Sequence, residues 1–162
     1  MLETYPLYFT IPECQSYQSL TEPNRKVTYA LATKICDSSI GPGWFRFHGD
    51  AGIKMPTSCP PMQMCDTHAP GWINGEHPTV ADGKVTRKVC FHWSSNCCHW
   101  STDIEVRNCG SYYIYYLSGT PTFLSDIVAL TELVESYKSL FFLAYVYALI
   151  RTYIMHKWFY TG

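Results

Sequence analysis

The chain has 162 residues, a length that suits one domain of ordinary size or a smaller domain with an appendage. With 12 Lys and Arg against 13 Asp and Glu, its formal net charge is -1, and no basic excess dominates that could release counterions from a nucleic acid. Eight cysteines, all between positions 14 and 109, approach the density of a disulfide scaffold and place the chain in an oxidising compartment, the secretory lumen or the extracellular space.

The start, Met1-Leu2-Glu3-Thr4-Tyr5-Pro6, has an acidic residue where a signal peptide carries its basic region, and no long apolar run follows. Residues 1–13 are therefore expected to be a short leader, with the native amino terminus upstream. Further along, Asp82-Gly83 marks a turn. Val85, Arg87, Val89, Phe91 and Trp93 then share one face of an extended segment. Ile104 and Val106 alternate with Glu105 and Arg107, the period of a half-buried strand, and Tyr112 to Leu117 is a strand by composition. The expected fold is mainly β: a small, disulfide-rich extracellular domain with long loops.

Between the first two of these strands lies the pair Cys97-Cys98. Adjacent cysteines sit about 3.8 Å apart, poorly placed for a bond that needs Cα atoms about 4.4–6.8 Å apart, so the two want different partners. The doublet thus ties two other parts of the chain to one point.

Composition changes at Pro121. All cysteines, all prolines and nine of the ten glycines precede residue 122, and residues 122–162 read as a cysteine-free apolar tail. Ile127, Leu130, Val134, Tyr137 and Phe141 have the spacing of an amphipathic helix, with Ser125 or Asp126 as its cap. Leu140 to Ile150 is apolar on every side. Three readings of this helical tail stand: sequence foreign to the domain, such as translation past an exon end; a membrane span over residues 139–158, which would place Arg151 inside the bilayer at about 2.5–3.5 kcal/mol; or a buried helix.

Chemistry-bearing residues give little sign of an enzyme. Cys90, His92, Cys97, Cys98 and His99 offer zinc-ligand atoms at short range, yet the repeated knuckle spacing of structural zinc sites is missing. A nucleophilic cysteine served by His48, His68 or His77 would need an activated free thiolate, and no Gly-x-Ser-x-Gly, P-loop or paired-carboxylate signature occurs. Asp50, between Gly49 and Gly52, supplies too few oxygens for calcium and reads as a turn residue. Of the many aromatic residues, most are expected in the core, where they offset loops that bury little. Trp72, lying between Pro70-Gly71 and Asn74-Gly75, is the one nominated for a recognition loop, with Asn74 and His77 beside it.

Gly43 to Pro56, Cys59, Cys65, Ala69 to Pro78, Arg87 to Trp93 and the Cys97-Cys98 doublet together resemble the cysteine-rich domain of the uromodulin and pancreatic zymogen-granule glycoprotein family. The likeness begins near Cys14, includes Leu20-Thr21-Glu22-Pro23, and runs to Thr120-Pro121, giving a domain over 14–121. It implies bonds of Cys14 with Cys109, Cys59 with Cys97, and Cys90 with Cys98. Cys36 and Cys65 match residues that bond two further cysteines absent from this chain, which leaves them unpaired or paired with each other. The family module carries N-glycans at positions matching Asn74 and Tyr116, the latter a mannose-rich decoy for bacterial adhesins. Here Tyr116 is not Asn, and Asn24, Asn74, Asn96 and Asn108 lack a hydroxyl residue two positions on, so the decoy activity is not carried over. The implied function is a non-enzymatic, stapled module of a larger mosaic protein, without cofactor or metal, that meets an extracellular protein or glycan in adhesion, matrix assembly or ligand presentation. The alternatives are a single-pass surface protein using 139–158 as its span and a zinc-binding Cys/His protein.

Overall fold

Seven strands form one sheet in a computed structural model that describes residues 11–29, 37–121 and 125–130. A one-turn helix α1 (Pro12–Gln15) precedes β1 (Gln18–Leu20), and a 3-10 turn at Pro23–Arg25 follows it. Next come β2 (Gly43–Phe47), a 3-10 turn at Gly49–Ala51, β3 (Ala69–Ile73), β4 (Lys84–Trp93), β5 (Asn96–Asn108), β6 (Tyr113–Leu117) and β7 (Ser125–Ile127). The spatial order is β1-β2-β6-β5-β4-β3-β7. The pairings of β1 with β2 and of β3 with β7 are parallel, and the rest are antiparallel. The fold is mainly β, as the alternation predicts.

The β4–β5 hairpin is the backbone of the sheet. Its register runs from Lys84↔Arg107 to Trp93↔Asn96, with a bulge between Phe91 and Trp93. Ser94 and Ser95 make the connection, both at positive φ (50° and 61°), the handedness that suits a two-residue hairpin between right-twisted strands. At the other end, Gly83 at φ 67° closes the turn read at Asp82-Gly83, and the Asp82 carboxylate accepts hydrogen bonds from the Thr79 backbone N–H and hydroxyl.

Alternation sorts side chains onto two faces. Phe45, Phe47, Val89, Phe91, Ile104, Val106, Tyr115 and Leu117 point into the main core with Met55, Ile73 and Ile127. On the opposite face of β6, Ile114 joins Cys14 and Cys109 in a second cluster, against which Ile11, Tyr17, Trp44 and Tyr112 pack.

Residues 125–130 depart from the helix expected for them. Ser125–Ile127 pairs in parallel with Ala69–Gly71 of β3, and all six residues from Ser125 to Leu130 are buried. Val27 N donates to Ala129 O (3.0 Å) and Ala129 N to Arg25 O (2.8 Å); Ile53 N donates to Leu130 O (2.8 Å) and Leu130 N to Lys54 O (2.7 Å). The backbone groups that a helix would satisfy internally are satisfied here by three other segments, so tertiary pairing overrides the i, i+3 pattern. Val134, Tyr137, Phe141 and the span at 139–158 lie outside the described residues. Among the described residues, no helix is long and apolar enough to cross a membrane.

Candidate functional site

Among the described residues, three disulfides organise the sheet. Cys14 bonds Cys109, Cys59 bonds Cys97, and Cys90 bonds Cys98, with Cα separations of 5.8, 5.7 and 4.6 Å. The doublet therefore reaches two partners: Cys98 crosses to the neighbouring strand of its own hairpin, and Cys97 holds the loop before β3. The bridges differ in exposure. Cys90 is fully buried, Cys14 and Cys109 are nearly so, whereas Cys97 is exposed and Cys59 half-buried. Cys65 is buried at positive φ, its N–H donating to Tyr29 O at 2.7 Å. Cys36 lies outside the described residues.

The three residues nominated for recognition are close in sequence but differ in setting. Trp72 belongs to β3 rather than a loop, because Gly71 lets Phe91 and the Asp126 carbonyl approach so closely that Pro70-Gly71 pairs as strand; a Cβ there would lie 2.8 Å from Phe91 Cε1. Its half-buried indole Nε1 donates to Cys97 O at 2.7 Å. Asn74 is exposed, with its backbone N–H on Lys88 O. His77 turns inward: Nε2 lies 2.9 Å from the hydroxyl of fully buried Tyr115, and its ring rests on Tyr113 at 4.4 Å. The Tyr115 hydroxyl accepts the Met55 N–H, leaving its own proton for His77 Nε2. Burial first, then the charges of Lys54 and Arg87, push the imidazole down to about 4.

Beside Trp72, the hairpin tip gathers aromatic rings. Trp93 and Trp100 stack at 6.3 Å, His68 meets Trp93 edge-on at 5.9 Å, and His99 meets Trp100 at 4.5 Å. Both indoles pack on the core from half-buried positions, and His99 is exposed.

For metal chemistry, Cys59, His92 and Cys97 have ligand atoms within 4.8 Å of one another. The larger set read from sequence is not assembled in this state, since Cys90 and Cys98 bond each other and Cys97 bonds Cys59. Asp50, in the Gly49–Ala51 turn, is an exposed residue facing Lys26 at 3.9 Å.

A buried ionic cluster escaped the sequence reading. Arg25 grips Asp37 with two hydrogen bonds (2.8 and 2.9 Å), reaches Asp126 at 3.0 Å and Ile127 O at 3.2 Å, and meets Glu22 at 3.0 Å. Burial and the Asp37 carboxylate hold the Asp126 carboxyl well above its usual range, while hydrogen bonds and the Arg25 charge outweigh burial and keep Asp37 below it. Burial and the neighbouring carboxylate thus favour one charge rather than two on the aspartate pair that faces the single guanidinium. Another hidden contact is the Arg46 guanidinium, 3.8 Å from the Tyr112 ring centroid and 2.8 Å from the Tyr17 hydroxyl. No motif announces either arrangement, because their members are scattered along the chain.

Residues 45–126, half of the chain, match the family profile described as the uromodulin-like domain. The chain belongs to that family. Over 109 residues, 67% of its length, it is 48% identical to the pancreatic secretory granule membrane major glycoprotein GP2 of dog and 44% identical to mouse uromodulin, covering 21% and 17% of those proteins. Human GP2 is 42% identical over 109 residues, with 20% of its length covered. The chain thus spans about a fifth of these relatives. GP2 and uromodulin are secreted or cell-surface glycoproteins, and this uromodulin-like chain is an extracellular or cell-surface module.

Proposed function

We propose that this uromodulin-like module is a non-enzymatic binding unit of a larger mosaic protein, presenting a rigid surface to an extracellular protein or glycan in adhesion, matrix assembly or ligand presentation. The observation that carries this reading is the convergence of two bridges on the β4–β5 tip, where Cys97 and Cys98 fix the loop at Cys59 and the strand at Cys90 around half-exposed Trp93 and Trp100. Aromatic groups held rigid lose little entropy on binding. Trp72 and exposed Asn74 extend the surface, and His77 supports it from beneath through Tyr115. A non-enzymatic role is supported by the state of the thiols: among the described residues six cysteines are tied in bridges, and His77 is held neutral against Tyr115.

The test is saturable binding of the oxidised full chain to a panel of extracellular matrix proteins and immobilised glycans. Binding that disappears on full reduction and weakens about tenfold or more in Trp100→Ala is expected. A flat panel, or binding retained by the fully reduced chain, overturns the reading.

A further inference from the structure

We propose that the Cys59–Cys97 bridge is opened reversibly by small-molecule thiols, and that its dithiol form, together with His92, is a three-ligand site for a soft divalent cation of the zinc class.

Access singles out this bridge. Thiol–disulfide exchange begins with a thiolate reaching a disulfide sulfur, and the exposed Cys97 and half-buried Cys59 offer that approach. The sulfurs of Cys14 and Cys109 are sealed in the second cluster with Ile114, and the third bridge has one half-buried partner, Cys98, but no exposed one, Cys90 being fully buried in β4.

Each end of the bridge also has a non-covalent anchor that reduction leaves in place. On the Cys97 side, Trp72 Nε1 holds the Cys97 carbonyl at 2.7 Å, and the neighbouring Cys98 stays tied to buried Cys90. On the Cys59 side, His92 Nδ1 lies 2.7 Å from the carbonyl of Pro60, the next residue. A carbonyl can only accept, so Nδ1 donates here, and in the neutral tautomer that makes this bond Nε2 holds the lone pair a metal ligand needs. A backbone carbonyl on the other ring nitrogen is also the usual outer partner of a metal-bound histidine.

With these anchors in place, opening the bond leaves two thiols and an imidazole whose ligand atoms already lie within 4.8 Å of one another. Two thiolates and one imidazole form a soft donor set that suits zinc, with the solvent side open for a water as fourth ligand. The step balances. Two thiols of the glutathione class are oxidised to one disulfide as the Cys59–Cys97 bond is reduced, each cysteine sulfur gaining one proton. The cation then displaces both protons as two metal–sulfur bonds and one metal–nitrogen bond form.

The experiment treats the oxidised full chain with graded glutathione without oxygen and maps alkylated cysteines by mass. Zinc is then titrated against a chromophoric chelator. Cys59 and Cys97 should be alkylated before the other four bridged cysteines, and the opened chain should take up one zinc. His92→Gln should open as readily yet bind zinc about tenfold or more weakly. A measurement on the unaltered chain stands independently: cobalt(II) added to the opened form should give the thiolate-to-metal absorption of a two-sulfur site. Simultaneous opening of all three bridges, an opened chain that takes no zinc, His92→Gln binding as tightly as the parent, or a cobalt spectrum without sulfur ligation would each overturn the proposal.

Discussion

Arg25 and Asp126 stand 101 residues apart in the chain and 3.0 Å apart in space. The contact fixes β7, which joins the sheet through β3 and is clasped from the other side by the turn after β1. Asp37 completes the clasp: its Oδ2 accepts both Arg25 Nη1 and the backbone N–H of Ile127. One guanidinium thus holds together three segments that no disulfide among the described residues joins.

The two aspartates should respond differently to substitution. Asp37→Asn removes the charge that Arg25 grips bidentately and should lower stability by about 3–5 kcal/mol, the usual result of stranding one member of a buried ion pair. Asp126→Asn replaces a carboxyl whose charged form burial and Asp37 already disfavour, so it removes less favourable charge interaction. Its effect at neutral pH should stay within about 1 kcal/mol. The sign with pH also differs. Because the folded chain raises Asp126 above its unfolded value, that group's contribution is complete below about pH 4 and erodes as pH rises through the folded pKa; Asp37, depressed, loses its contribution as pH falls below the same unfolded value. Urea unfolding midpoints across pH test both, and an Asp126→Asn chain as damaged as Asp37→Asn contradicts the opposite shifts of the two carboxyls.

Gly52 is where the chain receives residue 130. At φ 111°, with Leu130 O 2.6 Å from where a Cβ would sit, it combines a conformation closed to L side chains with a backbone neighbour that cannot retreat. Gly52→Ala should cost about 2–3 kcal/mol and speed hydrogen exchange at the Ile53 amide, which bonds Leu130 O. Gly83→Ala is the control: at φ 67° nothing lies within 4 Å of the new methyl, so only the backbone term of about 1–2 kcal/mol remains.

Cys14 and Cys109 close a span of 95 residues, the longest of the bridges among the described residues. Replacing both with serine should lower stability by about 4 kcal/mol, since the unfolded chain regains the entropy of that loop. The comparison is between unfolding curves of the oxidised parent and the double variant. A loss below about 1 kcal/mol would mean that the second cluster holds α1 on the sheet without the bond.

Local signals and long-range ones fared differently. Alternation at Ile104–Arg107, the aromatic and β-branched composition of Tyr112–Leu117, and the Asp82-Gly83 turn are properties of a few neighbouring residues, and the strands stand where those signals place them. Ile127 and Leu130 show the opposite case: their helical spacing is real, but Arg25, Asp37, Ile53 and Lys54 supply partners that no window around residue 127 contains. Trp72 misleads for a related reason. Pro70, Gly71, Asn74 and Gly75 are turn-formers by composition, yet Gly71 serves close packing against Phe91 within a strand. The inward turn of His77 depends on Tyr115 and Tyr113, more than thirty residues away, and nothing near position 77 announces it.

His77 makes the fold sensitive to mild acid. In the unfolded chain its imidazole binds a proton near pH 6.5, whereas in the folded chain it does so only at about 4, because burial disfavours the charged ring and Lys54 and Arg87 repel it. Between these values the unfolded state holds more protons, so stability falls as pH drops from about 6.5 towards 4, by at most about 3 kcal/mol, and is level above pH 7 as far as this group is concerned. The depressed carboxylates act only below about pH 4, outside this window. Asp126 has the opposite slope within it, so the cleanest measurement compares Asp126→Asn with Asp126→Asn carrying His77→Gln. Guanidinium unfolding should show the acid-side decline in the first and a flatter profile in the second, since glutamine cannot titrate. An NMR titration that finds the His77 imidazole protonating near its unfolded value would contradict the buried setting from which the slope is derived.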